Sequence, residues 1–190
     1  PRSAENKVAV LTIDGTTVKL SDREINTGLR PTSIDISSNG AFAAVANIGM
    51  GGGDEDTVSL IDLTQTPPRV VDTITVGQTP EGLRIAPDGL HIGVVAMNGS
   101  NKPKASPFYH DTGYLVMLRV DGMKLSRLAQ APIGHWSQGV VFSPDGKTVL
   151  VGNMVEKDVQ VLEWDGTFLR DTGTRIKVNG GSAGLRTVEK

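Results

Sequence analysis

The 190-residue chain contains no cysteine. That absence excludes disulfides, thiolate metal sites, thioether haem attachment and a cysteine nucleophile, and it is compatible with either an exported or a cytosolic protein. Aromatic residues make up only 4% of the chain. No stretch approaches the roughly 18 consecutive apolar residues of a membrane-spanning helix, so no membrane span is expected. Neither charge is in large surplus: the formal net charge is -2, and Lys and Arg are scattered rather than striped. A nucleic-acid partner is therefore not expected. The phosphate-cradling G-x-x-x-x-G-K-[ST] loop and the zinc-binding H-E-x-x-H helix are also missing. What remains is a chain with 23 glycines, whose apolar residues are mostly Val, Ile, Leu and Ala, as short strands joined by tight turns require.

The chain repeats itself. Pro31-Thr32-Ser33-Ile34-Asp35-Ile36-Ser37-Ser38-Asn39-Gly40 aligns with Pro80-Glu81-Gly82-Leu83-Arg84-Ile85-Ala86-Pro87-Asp88-Gly89, and both align with Ser137-Gln138-Gly139-Val140-Val141-Phe142-Ser143-Pro144-Asp145-Gly146. A fourth copy begins at Ser182-Ala183-Gly184-Leu185-Arg186, so the copies start at 31, 80, 137 and 182. Such intervals fit units that are each one antiparallel sheet of a β-propeller. Within the first unit, Ser33 to Ser37 reads as inner strand a, and Asn39-Gly40 as a two-residue turn with positive φ. Ala41 to Ala46 reads as b, Thr57 to Leu63 as c and Val70 to Val76 as d. Val8 to Ile13, Asp14-Gly15 and Val18 to Leu20 read as the outer c and d half of a blade. The expected organisation is a single all-β propeller segment over 1–190: an outer half-blade at 7–28, blades at 31–78, 80–135 and 137–180, and the first strand of a further blade at 182–190. About 3.5 to 4 four-stranded blades do not close a ring, so the remaining blades are expected from a longer chain or from another copy.

Asp56 to Leu63, Ile74 to Gly82 and Ala86 to Gly89 resemble the YVTN-type repeat of seven-bladed propellers, and Phe142 to Thr148 is similar to the same repeat in lactonase-like propellers, which include a phosphogluconolactonase. The resemblance implies seven blades in the complete ring. It departs at the namesake tetrapeptide, where Ala44-Val45-Ala46-Asn47, Ala96-Met97-Asn98 and Val151-Gly152-Asn153 keep only the last Asn. These are strand and turn residues, so the resemblance speaks to fold more than to activity.

Antiparallel pairing places the a–b and c–d turns on one face, and the b–c loops and d–a crossovers on the other. The first face is stereotyped. The second is variable in length and chemistry, so binding or catalysis is expected there. Residues at the start of strand a should ring the mouth of a central channel: Arg30, Glu81, and His135 through Gln138. Glu81 and His135 are candidate general base and proton shuttle, and Arg30 is a candidate anion clamp. The competing reading is that Arg30 and Glu81 pair across blades and His135 is a capped loop residue. Trp136, Gln138, Tyr109 and His110 are further ligand-binding candidates. The carboxylates of Asp54, Glu55 and Asp56 follow three glycines and offer oxygen ligands for Ca²⁺, without the spacing of a calcium loop; no other cofactor is implied. Three function classes follow. The first is a binding or scaffold propeller that engages a small molecule or protein partner through its variable-loop face and channel mouth. The second, implied by the resemblance, is a hydrolase opening a sugar lactone. The third is a non-catalytic propeller subunit of a redox enzyme.

Overall fold

The computed structural model describes residues 1–187. It is an all-β structure of one two-stranded and three four-stranded antiparallel sheets. The half-blade pairs β1 (Lys7–Asp14) with β2 (Thr17–Asn26). Blade 1 runs β3 (Pro31–Ile36), β4 (Phe42–Asn47), β5 (Asp56–Asp62) and β6 (Arg69–Gly77), and blade 2 runs β7 (Pro80–Ile85), β8 (His91–Ala96), β9 (Gly113–Asp121) and β10 (Lys124–Ile133). Blade 3 runs β11 (Ser137–Phe142), β12 (Thr148–Asn153), β13 (Asp158–Trp164) and β14 (Leu169–Lys177). Each sheet is an up-and-down meander in chain order, as a propeller blade requires.

Burial follows position in the blade. The second strands are covered on both faces, so Phe42-Ala43-Ala44-Val45-Ala46-Asn47 is buried throughout and does not alternate. Its alternate residues serve two cores: Ala44 and Ala46 join Leu60, Leu83, Val94 and Leu118 between blades 1 and 2, and Ala43 and Val45 join Val8, Ile25 and Ile61 against the half-blade. A third core, with Val95, Leu115, Met117, Phe142, Leu162 and Trp164, joins blades 2 and 3. The outer strands are the most exposed, as in β14, where seven of nine residues face solvent. Carboxylates staple blade to blade: Asp35 accepts from the Ile85 N–H (2.8 Å) and Asp72 from the Leu125 N–H (2.7 Å).

Two local expectations change. The a–b connection is not a two-residue turn, because Ser37 N–H donates to the Phe42 carbonyl and Gly40 N–H to the Ser37 carbonyl. Residues 38–41 form a four-residue loop in which only Gly40 (φ 70°) is left-handed, and the Asn39 side chain caps the Ala41 N–H. Asp88 and Asp145 cap the same loop in blades 2 and 3. The expected fourth strand a is also not formed: residues 182–187 have no strand pairing, although Leu185 backbone lies against Gly139 where the next inner strand would run. The rest of that expected strand, 188–190, lies outside the described residues.

Candidate functional site

The d–a crossovers obey one rule. Gly28-Leu29-Arg30-Pro31, Gly77-Gln78-Thr79-Pro80 and Gly134-His135-Trp136-Ser137 occupy equivalent places, and the third residue of each is left-handed: Arg30 (φ 55°), Thr79 (φ 53°) and Trp136 (φ 50°). The chain must turn sharply from the outer strand of one blade into the inner strand of the next. The carbonyls of Arg30 and Thr79 accept from the N–H groups of Ile48 and Met97 just beyond strand b (3.1 Å each), which fixes the turn.

One residue after each strand start come Thr32, Glu81 and Gln138. They line a cavity of about 380 Å³ between the inner strands, with Arg84, Leu185 and Arg186 also on its wall. The strands approach closely here: a Cβ on Gly82 would overlap the Gln138 carbonyl oxygen, so only glycine fits. Burial pushes the Glu81 carboxyl above its usual range, and a hydrogen bond with the Gln138 side chain acts the other way. Arg84 bonds to Asp35 (3.4 Å) and to the Thr187 hydroxyl (3.5 Å), so its guanidinium is held at the wall.

His135 faces elsewhere. It lines an outer groove of about 310 Å³ with Asp111, Glu156, Asp171 and Arg175. Its Nδ1–H donates to Glu156 Oε1 (2.5 Å), and its backbone N–H also donates to Glu156 (3.1 Å). On the other side, Nε2 lies 3.4 Å from both Asp111 Oδ1 and the Tyr109 hydroxyl, and that hydroxyl donates to Asp111 (2.6 Å). The hydrogen bond with Glu156 is the main cause of an imidazole pKa above the ordinary 6.5, with Asp111 adding to it.

The channel-mouth constellation expected from sequence therefore divides. Glu81 and Gln138 come together in the channel. Arg30 and Trp136 are exposed on the variable face, outside the cavity wall. His135 is turned outward, joined there by Tyr109, because it occupies the second crossover position, shared with Leu29 and Gln78, rather than a position inside strand a. His110 is held by Nδ1 against the Asn98 carbonyl (3.0 Å). The acidic loop does not converge: Asp56 turns inward to accept from the Thr79 N–H (2.8 Å) while Asp54 and Glu55 stay exposed. Among the described residues no three His, Asp or Glu side chains gather as metal ligands. Sequence reading missed Asp111 and Glu156. No local pattern marks them, since they meet His135 only through blade packing. Gly180-Gly181-Ser182-Ala183-Gly184 has the G-x-S-x-G spacing of a nucleophile elbow. Among the described residues it joins no strand to a helix, which that elbow requires.

No protein-family model matches the chain, and no curated protein matches it. Solved structures do. A putative 6-phosphogluconolactonase from Bacteroides fragilis superposes with a TM-score of 0.77 at 19% identity, over 97% of this chain and 52% of that one. The periplasmic gluconolactonase of Pseudomonas aeruginosa gives 0.72 at 17% identity, over 92% and 52%. The β-propeller domain of Myceliophteria thermophila Cps50 gives 0.67 at 10% identity, over 95% and 57%. The chain spans little more than half the length of each. At these identities the likeness establishes architecture: the chain is a β-propeller segment.

Proposed function

We propose that the chain forms part of a propeller that binds a small, polar, hydroxyl-rich molecule in its central channel, with Glu81 and Gln138 as the principal contacts and Thr32 beside them. The observation that carries this reading is the cavity where three blades present polar side chains from the same strand position, one of them a carboxyl group whose pKa burial raises. A carboxyl and an amide side by side supply donors and acceptors to hydroxyl groups. Arg186 on the same wall offers a cationic contact to an anionic substituent. A second reading, hydrolysis of a sugar lactone, is favoured by the likeness to two gluconolactonase folds and by the raised Glu81 pKa, a shift in the direction that strengthens a general base.

Both readings are tested by incubating the protein with glucono-lactone, its 6-phosphate and the corresponding aldonates, measuring binding and ring opening together. Saturable binding without ring opening, weakened in Glu81→Gln, supports the binding reading. Ring opening reduced by about a hundredfold to ten-thousandfold in Glu81→Gln supports the hydrolase. Neither binding nor turnover across the panel removes sugar acids and lactones as the ligand class.

A further inference from the structure

The loop between β8 and β9 is fastened at three places. At its root, the Trp136 N–H donates to the Ser100 hydroxyl (3.0 Å), and the Asn98 side chain donates to the Thr112 carbonyl (3.0 Å). In the middle it lies on the acidic loop of blade 1: Lys102 Nζ donates to the Gly51 carbonyl (2.7 Å), and the Phe108 ring fills the space a Cβ on Gly53 would take. At its outer end Tyr109 and Asp111 meet His135 of the next crossover. The loop thus crosses from blade 1 to blade 3; its outer fastening runs through the imidazole of His135, and within the loop the His110 Nδ1 also meets the Asn98 carbonyl (3.0 Å).

We propose that this loop is a strap whose outer end is held by protonated His135, between Glu156 and Asp111, and is let go when His135 loses its proton. The imidazolium has two N–H donors and both carboxylates accept. Neutral imidazole has one. The shorter contact, 2.5 Å to Glu156 against 3.4 Å to Asp111, keeps that proton on Nδ1. The Nε2 lone pair then faces the Asp111 carboxylate, and the contact changes from attraction to repulsion. Tyr109 can donate to Nε2 only by giving up its 2.6 Å bond to Asp111. Either way Asp111 loses a partner.

The other charged groups around His135 have partners of their own, and His110 of the strap bonds to the Asn98 carbonyl (3.0 Å) rather than to His135 or Asp111. Asp171 and Arg175 on β14 form an ion pair (2.7 Å), and Lys177 pairs with Asp158 of β13 (3.1 Å). On the strap, Lys104 acts on Asp111 from a distance. The sign follows from a pKa raised by folding: the extra stability is full below the ordinary 6.5 and is lost as pH rises through the folded value. Asp111 is largely exposed, so the pair is too weak to govern global unfolding. A surface loop opens at a far smaller free energy, and there the same pair decides. The inference does not depend on what the channel binds.

The test is amide hydrogen exchange of the intact protein, expressed as protection factors so that the intrinsic pH dependence of exchange cancels. The amides of Lys102, Ser106 and Tyr109 are bonded within the strap and report its opening. Their protection is expected to fall by about fivefold or more between roughly pH 6 and pH 8.5, while the amides of β4 stay constant. His135→Gln and Asp111→Asn should each give a strap with the same protection at both pH values. Asp111 is exposed, so its variant serves if His135→Gln does not fold. Constant strap protection in the wild type, or an undiminished pH dependence in Asp111→Asn, would overturn the proposal.

Discussion

Single residues set the turns, and glycine is the plainest case. Gly89 (φ 68°) and Gly146 (φ 71°) hold the left-handed position of equivalent a–b loops, whereas Gly52, in the acidic loop, has no such φ. Gly89→Val and Gly146→Val should each cost about 1–3 kcal/mol through backbone strain in a β-branched residue, and Gly52→Val far less. Equal losses of Tm at all three sites would contradict this assignment. Glu81 makes an opposite kind of prediction. Its carboxyl ionises less readily folded than unfolded, so ionisation withdraws stability as pH climbs from the ordinary 4.5 through the raised folded value. Glu81→Gln should gain in Tm relative to wild type across that window. Parallel Tm curves for the two proteins would show that burial is not what shifts the group.

At the scale of strands and loops, blades hold together through apolar faces and a few carboxylate staples. Removing the Asp35 staple leaves the N–H of Ile85, a buried residue, without its acceptor. Asp35→Ala should therefore cost about 1–3 kcal/mol in urea unfolding. A loss below a few tenths would mean that water takes over the bond. The strand order of each blade was legible in the sequence because the repeat carries its own punctuation: Pro or Ser at the start of strand a, Asn-Gly or Asp-Gly after it, and a Gly three residues before it. The radial direction of the crossover side chains was not legible. His135 and Gln138 stand three residues apart, yet one faces an outer groove and the other the channel, because the left-handed Trp136 between them reverses the chain. The Asn pattern also misaligned blade 2: Pro80 pairs with Ala96, so Ala96 stands where Asn47 and Asn153 stand, and Asn98 lies two residues beyond. Only strand register reveals that slip.

The whole molecule is an arc of blades with apolar surface at its half-blade end. Leu11, Ile13, Val18 and Leu20 are more than half exposed, and cross-strand pairing of Leu11 with Leu20 and Ile13 with Val18 gathers them into one patch. Soluble monomers avoid such patches, and a neighbouring blade buries them in a closed ring. Solution scattering of these 190 residues should show self-association beyond the 20.1 kDa of one chain, and a longer parent chain should give a disc. A monodisperse 20.1 kDa particle would contradict ring completion. The proposed binding site is the channel and not the outer groove. Calorimetric titration of the sugar-acid and lactone panel into wild type, Glu81→Gln and His135→Ala tests it most directly. Affinity should fall by about tenfold or more in Glu81→Gln, the loss of a charge-assisted hydrogen bond, and stay within about twofold of wild type in His135→Ala. The reverse pattern, with His135→Ala abolishing binding and Glu81→Gln retaining it, would place the site in the outer groove and refute the claim.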